Sequence, residues 1–116
     1  MSDYTYDAVV VRVKDADTAV VDVDFGFNVW WRDTVIRLLG INSPELNCPA
    51  GKAAHAFLQE LLPVGCRVLL ESYKDKPDKF GARWLGILWK DGQSVNDLLV
   101  KAGHAVIWDG KGKKPT

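Results

Sequence analysis

The chain has 116 residues, of which 47% are hydrophobic and 26% are charged, enough for one ordinary hydrophobic core and too little for two. Fifteen Lys and Arg residues balance fifteen Asp and Glu residues, so no overall positive field attracts the chain to phosphate backbones, and nucleic-acid binding would need a local site. No apolar run reaches the roughly 18 residues of a membrane span, and the N-terminus lacks the pattern of a secretion signal. We therefore expect a cytoplasmic protein.

Two β-branched runs, residues 7–14 and 18–25, predict two strands joined by a tight turn. In the second run Val21, Val23 and Phe25 alternate with Asp22 and Asp24, which predicts one buried and one polar face. Residues 26–32 are expected to form a connection. The nearly continuous apolar run 35–41 predicts a third strand.

Residues 49–62 change to helical spacing, with Ala54, Phe57, Leu58 and Leu61 on one face, and Pro63 follows. Residues 67–73 and 83–89 predict two further strands. A second helix is expected over about 94–101, with Gly103 in the position that commonly follows a helix. Residues 109–116 predict a flexible polar tail after a single domain over 1–108.

Five strands and two helices in this order fit a small closed barrel better than an alternating α/β sheet. The predicted fold is an OB-fold, a five-stranded Greek-key β-barrel with two helices. Cys48 and Cys66 show no CxxC spacing and no clustered His. Cytosolic thiols are normally reduced, so we expect neither a disulfide nor a two-cysteine metal site.

Arg37 is the most unusual residue, because it lies within the apolar run 35–41. A buried guanidinium needs an anionic partner or a route to solvent. Two interpretations are therefore open, a structural Arg that reaches solvent or forms an internal salt bridge, and an Arg that binds an anion.

Oxygen-bearing side chains flank this run in the sequence. Asp15 and Asp17 occupy the first predicted turn, and Asn42, Ser43, Pro44 and Glu45 follow the third strand. Oxygen donors at turns suit a hard cation such as calcium. Taken alone, the two aspartates are better explained as ordinary turn residues than as metal ligands.

Four segments in this order carry a family resemblance: DADT at 15–18, RLLGINSPE at 37–45, DKFGARWLG at 78–86 and DGQSVNDLLVKAGHA at 91–105. Together they resemble the staphylococcal nuclease (thermonuclease) family over roughly residues 8–108. The resemblance implies an OB-fold enzyme that hydrolyses DNA and RNA with calcium and leaves 3′-phosphate ends. Its substrate would be single-stranded or locally melted DNA, or RNA, and no membrane partner is implied.

The resemblance also assigns roles residue by residue. Asp17, Asn42 and the carbonyl of Ser43 match the calcium ligands. Arg37 and Arg83 match the two arginines that hold the phosphate, and Glu45 matches the general base. Lys79 and Phe80 are further candidate substrate contacts.

Departures from the family pattern carry expectations of their own. Asn42 stands where aspartate is usual, which predicts weaker calcium binding. Ala82 separates Gly81 from Arg83, which puts the placement of Arg83 in question. Phe80 replaces a common tyrosine and so cannot donate a hydrogen bond. The chain also ends without the family's long C-terminal helix.

The other conspicuous residues have simpler interpretations. The aromatic-rich segment 25–31 is expected to cover the core or the hairpin, with base stacking or a dimer patch at Trp30 or Trp31 as alternatives. His55 and His104 are expected to serve packing or the surface. Lys74, Lys76 and Lys79 are interleaved with acidic residues and predict a solvated loop.

Two functions from different classes are therefore compared. The first is a calcium-dependent nuclease that uses Asp17, Arg37, Glu45 and Arg83. The second is a catalytically silent OB-fold module that binds nucleic acid or a protein partner, an interpretation that Asn42 favours.

Overall fold

The structure, a computed structural model, describes residues 4–77 and 84–108, with the side chains of 73–77 excluded. Three long strands come first: β1 (Thr5–Asp15), β2 (Thr18–Asp24) and β3 (Trp30–Leu38). The short β4 (Ile41–Asn42) and helix α1 (Pro49–Leu61) follow. The remaining elements are β5 (Arg67–Pro77), β6 (Trp84–Lys90), β7 (Gln93–Ser94), α2 (Val95–Lys101) and β8 (Val106–Ile107).

The long strands form one sheet in the order β3-β2-β1-β5-β6, and β7 extends it beyond β6. A parallel pairing between β3 and β6 closes the sheet into a barrel, with Ile36 opposite Trp84 and Arg37 opposite Leu85. The other neighbouring pairs are antiparallel. This closed five-stranded mixed barrel with two helices confirms the predicted OB-fold.

The barrel interior is aliphatic. Val10, Val21, Ile36, Leu38 and Leu88 are among its fully buried side chains. Helix α1 adds Ala54 and Leu58 to the buried residues, and Phe57 and Leu61 pack partly buried against them. The face predicted from helical spacing is therefore the face that packs on the core.

Both helices begin and end as their sequences predict. Ser94 caps α2, since its hydroxyl accepts a hydrogen bond from the amide of Asp97 at 3.2 Å. Gly103 follows α2 with φ +81, the left-handed conformation that glycine adopts without steric cost. No helix within 4–77 or 84–108 is long and apolar enough to cross a membrane.

The start of β3 was predicted wrongly. The strand begins at Trp30 rather than Val35 because a bulge lets pairing with β2 continue past Arg32 and Asp33. Asp33 has φ 51, and its amide donates to Oδ1 of Asp22 at 2.9 Å. The alternation of apolar and polar residues breaks at Arg32 and Asp33, whereas β2 and β3 remain paired on both sides of the bulge.

Two further expectations need correction. Gly40, with φ +82, separates β3 from β4, so Ile41 belongs to a different strand, which pairs with β8. Phe25 lies beyond the end of β2 and is 41% exposed, unlike Val21 and Val23. Period-two alternation therefore holds only within the hydrogen-bonded strand.

Candidate functional site

Arg37 lies near the end of β3, where its side chain is almost completely buried at 8% exposure for the residue. Its Nη1 donates to the carbonyl of Leu38 at 2.8 Å, and Nη2 donates to the carbonyl of Ile41 at 3.0 Å. Nη2 also lies 3.3 Å from Oδ2 of Asp17. The guanidinium is thus oriented by two backbone carbonyls and paired with one carboxylate.

Asp17 lies in the turn between β1 and β2. Its Oδ1 accepts from the hydroxyl of Thr18 at 3.2 Å, and its Oδ2 accepts from the amide of Ser43 at 3.3 Å. Its backbone carbonyl accepts from the amide of Leu38 at 2.9 Å. These bonds attach the turn to β3 and to the segment after β4, which brings distant parts of the sequence together.

The two segments enclose a polar cavity of about 270 Å³. Asp17, Arg37, Asn42, Ser43 and Glu45 all line it, so the structure brings together every site residue that the sequence suggested within the described ranges. Asp15, Ala16, Pro44 and Leu46 complete the lining. The cavity therefore combines one guanidinium with three carboxylates.

Asn42 is held in place by strand pairing. It lies in β4, opposite Val106 of β8. The amide of Trp108 donates to the carbonyl of Gly40 at 2.8 Å and extends this contact. The segment after α2 thus fixes the backbone on which Asn42 and Ser43 are presented.

Glu45 has an exposed side chain on a tightly packed backbone. Its carbonyl accepts from the amide of Cys48 at 3.2 Å and from Sγ of Cys48 at 3.0 Å. Cys48 is the N-cap of α1, and its Sγ accepts from the amide of Gly51 at 3.4 Å. A Cβ on Gly51 would lie 1.8 Å from the carbonyl oxygen of Glu45, so only glycine permits this approach.

Cys48 and Gly51 were not identified from the sequence as parts of the site. The position of Cys48 immediately before Pro49 is typical of an N-cap followed by proline at the first helical position. That signal indicates the start of a helix, but it does not show that the helix abuts Glu45. The two cysteines are free thiols. Burial raises the pKa of the Cys66 thiol above its ordinary value.

The donor atoms in the cavity suit a hard cation. Asp17, Asn42 and the backbone of Ser43 offer carboxylate, amide and carbonyl oxygens, the ligand types that calcium prefers. No imidazole or thiol lines the cavity. Within the described residues no three His, Cys, Asp or Glu side chains form a group that could hold a metal ion.

The remaining residues singled out from the sequence fall into two groups. Arg83, Ala82, Lys79 and Phe80 fall outside the described residues, as do the side chains of Lys74 and Lys76. His55 and His104 do not line the cavity. A ring nitrogen of His55 lies 3.0 Å from the carbonyl of Val13, and the His104 ring stacks on Phe57 at 4.7 Å between centroids.

Comparison with known proteins gives consistent matches. The family model described as "Staphylococcal nuclease homologue" matches residues 35–115. A thermonuclease from Staphylococcus hyicus is 33% identical over 102 residues, which cover 83% of this chain and 56% of that protein. A staphylococcal-like nuclease from Arabidopsis thaliana is 35% identical over 77 residues, or 64% of this chain and 23% of that protein.

A third relative, an uncharacterized 38.1 kDa protein from Capnoides sempervirens, is 31% identical over 109 residues, which cover 94% of this chain and 31% of that protein. The chain thus spans about half, or less, of the length of the curated relatives that it matches.

Proposed function

This chain belongs to the staphylococcal nuclease family, and we propose that it is a calcium-dependent nuclease that hydrolyses phosphodiester bonds of DNA, RNA or both and leaves 3′-phosphate ends. The observation that carries the proposal is the single cavity that Arg37, Asp17, Asn42, Ser43 and Glu45 line together. A binding module needs no carboxylate beside the arginine, whereas hydrolysis needs both an anion-stabilising group and a base.

Arg37 is suited to stabilise the transition state. Attack of water on a phosphodiester builds negative charge on the phosphoryl oxygens, and a guanidinium meets that charge with charge-assisted hydrogen bonds. The carbonyls of Leu38 and Ile41 hold the group in place before substrate arrives. Preorganisation of this kind is what makes electrostatic stabilisation effective in catalysis. We assign the second phosphate contact to Arg83.

Glu45 is the proposed general base. Its exposed carboxylate borders the same cavity as Arg37, so it can take the proton of a water that attacks a phosphate bound there. A positioned base of this type contributes about 10²- to 10⁴-fold to the rate. The backbone that carries this carboxylate is fixed, because the carbonyl of Glu45 is packed against the start of α1.

Asp17, Asn42 and the carbonyl of Ser43 are the proposed calcium ligands. When bound, calcium supplies positive charge between the substrate phosphate and the surrounding carboxylates. In the protein without calcium, the positive charge next to Asp17 is that of Arg37, with which it forms an ion pair. With calcium bound, Asp17 would then remain beside Arg37 and also hold the cation. Lys79 and Phe80 are proposed to contact the substrate.

The test is digestion of single-stranded DNA and of RNA with calcium or with a chelator, using the native chain, Glu45→Gln and Arg37→Lys. Glu60→Gln, on an exposed position of α1, is the matched control. We expect calcium-dependent cleavage, its loss in both site variants and full activity in the control. Equal digestion by all four proteins would place the activity outside this cavity.

One observation favours a second function, a catalytically silent module that binds nucleic acid. Asn42 gives the proposed calcium site one carboxylate fewer than an aspartate would, and the charge of the ligands helps to set affinity. In calcium, tight binding of an oligonucleotide without any cleavage would select this function instead.

A further inference from the structure

One end of the barrel carries an exposed aromatic surface that the proposed nuclease chemistry does not use. Its rings contact one another in a row. The centroids of Tyr6 and Phe25 are 5.2 Å apart, those of Phe25 and Trp31 are 6.2 Å apart, and those of Trp31 and Trp84 are 5.7 Å apart. A contiguous apolar patch on the surface of a soluble protein is often a functional one.

These rings surround a pocket of about 170 Å³, called here the barrel-mouth pocket and formed by Tyr4, Tyr6, Phe25, Trp31 and Trp84 above a buried floor. The floor consists of the apolar side chains of Val23, Ile36 and Leu70, which are at most 3% exposed. Thr34 and Ser72 add two polar groups to the lining. The pocket is thus shaped and lined to accept an apolar side chain.

Beside this pocket, the hairpin between β2 and β3 presents Phe27, which is fully exposed at 101%. Phe27 and Asn28 have φ 55 and φ 64, left-handed values that are uncommon for a bulky residue. The turn is nevertheless well fixed. The amide of Val29 donates to the carbonyl of Gly26 at 2.9 Å, and the amide of Gly26 donates to Oδ1 of Asp24 at 2.8 Å.

A benzyl ring held in water on a strained turn has no stabilising role within one copy, because Phe27 does not line its own barrel-mouth pocket. Backbone strain of this type is typical of functional sites. Phe27 lies two residues along the hairpin from Phe25, which lines the pocket, so a projection and a cavity occur close together. Such a pair is self-complementary, since a two-fold axis places each projection in the cavity of the other copy.

We propose that the partner of this surface is a second copy of the chain, with Phe27 of each copy inserted in the barrel-mouth pocket of the other. The exposed fractions of Tyr4, Phe25, Phe27, Trp31 and Trp84 are 37%, 41%, 101%, 47% and 36%. With aromatic side chains of about 150–250 Å² each, they amount to roughly 500 Å² per copy. If all of this area is covered in both copies, the dimer buries about 1,000 Å², the lower limit for a specific interface.

Among the described residues beside these rings, two carboxylates favour a protein partner over nucleic acid. Asp7 and Asp24 face each other across β1 and β2, next to Tyr6 and Phe25. Arg32 is already paired with Asp22 at 3.0 Å and lies 4.9 Å from the centre of the Trp30 ring. Carboxylates at the edge repel the phosphate groups of both nucleic acid and anionic lipid. They remain solvated at the edge of a dimer, as is usual for polar interface rims.

Sedimentation equilibrium of the native chain without substrate tests this proposal over about 1 to 200 µM, because an interface of this size is expected to give micromolar affinity. Phe27→Asn removes the projection and suits the turn, since Asn tolerates positive φ. We expect it to weaken dimerisation about a hundredfold or more. Val64→Asn, an exposed apolar position outside the surface, is the matched control and should not change it.

A mixture gives an independent measurement. Trp31→Lys obstructs the pocket but keeps Phe27, so Trp31→Lys mixed with Phe27→Asn restores one of the two contacts. We expect this mixture to form more dimer than either variant alone. A native chain that stays monomeric over the whole range overturns the proposal. Loss of oligonucleotide or vesicle binding in Phe27→Asn, with no change in mass, overturns it too and assigns the surface to that ligand.

Discussion

Oδ2 of Asp17 lies 3.3 Å from Nη2 of Arg37, and both side chains are largely buried, at 10% exposure for Arg37 and 15% for Asp17. The residue assigned to the cation and the residue assigned to the phosphate are thus each other's partner in the protein alone. The pair keeps two charges compensated in a site that we propose to receive a cation and an anion together. Substitution of either residue should therefore change both the free energy of unfolding and the affinity for ligands.

Arg37→Ala should destabilise the protein most in the absence of calcium. It removes the donors to two carbonyls and leaves Asp17 without its cationic partner, a loss on the order of 2 to 3 kcal/mol in the free energy of unfolding. Calcium should then raise the melting temperature of Arg37→Ala more than that of the native chain. Thermal unfolding with calcium and with chelator measures this difference. The exposed Arg12→Ala serves as control, and equal calcium shifts in all three proteins would contradict the argument.

Asn42→Asp should tighten calcium binding. The substitution keeps the size of the side chain and its backbone pairing in β4, and adds one negative charge to the proposed ligand set. Because ligand charge helps to set calcium affinity, we expect roughly a tenfold lower dissociation constant by calorimetry. Asn47→Asp places the same charge on an exposed position of the loop after the cavity. If both variants gained calcium affinity equally, the gain would come from the added negative charge near the site and not from a ligand at position 42.

Gly51→Ala should reduce activity while the helix remains folded. The new Cβ would lie 1.8 Å from the carbonyl oxygen of Glu45, so the segment that carries the base must move. A displacement of about 1 Å can cost about a hundredfold in rate. We expect a lower kcat with little change in KM or in far-ultraviolet circular dichroism. Lys52→Ala, exposed on the next position of α1, is the control. Unchanged kcat in Gly51→Ala would show that Glu45 needs no such positioning.

The sequence predicted the barrel well because its strands and first helix bury faces with regular spacing. It failed where the backbone departs from regular geometry. The start of β3 was misplaced because the bulge at Arg32 and Asp33 interrupts the alternation but not the pairing. Phe25 was assigned to the core because the alternation continues past the last paired residue of β2.

The candidate site likewise has features that the sequence reveals and features that only the structure reveals. Asp17, Arg37 and Glu45 could be named from motifs, since side-chain chemistry is visible in sequence. The contribution of Gly51 could not, because it consists of the absence of a Cβ next to a carbonyl that lies six residues earlier. Likewise, the pairing of β4 with β8, which presents Asn42, joins two-residue strands that are too short to show a pattern.

The bulge in β3 makes a prediction about pH. The amide of Asp33 lowers the pKa of the Asp22 carboxyl from its ordinary value, with a smaller contribution from Arg32. A lowered pKa in the folded state stabilises the fold above the unfolded value of about 3.9, and this contribution is lost as pH falls through the folded pKa. Asp22→Asn should therefore be less stable than the native chain at pH 7, and the gap should narrow as pH falls below the unfolded value. Urea unfolding across this range measures it. Arg32→Gln should keep part of the pH dependence, because the hydrogen bond from the Asp33 amide is the largest single cause. A gap between the native chain and Asp22→Asn that stays constant with pH would contradict the assignment.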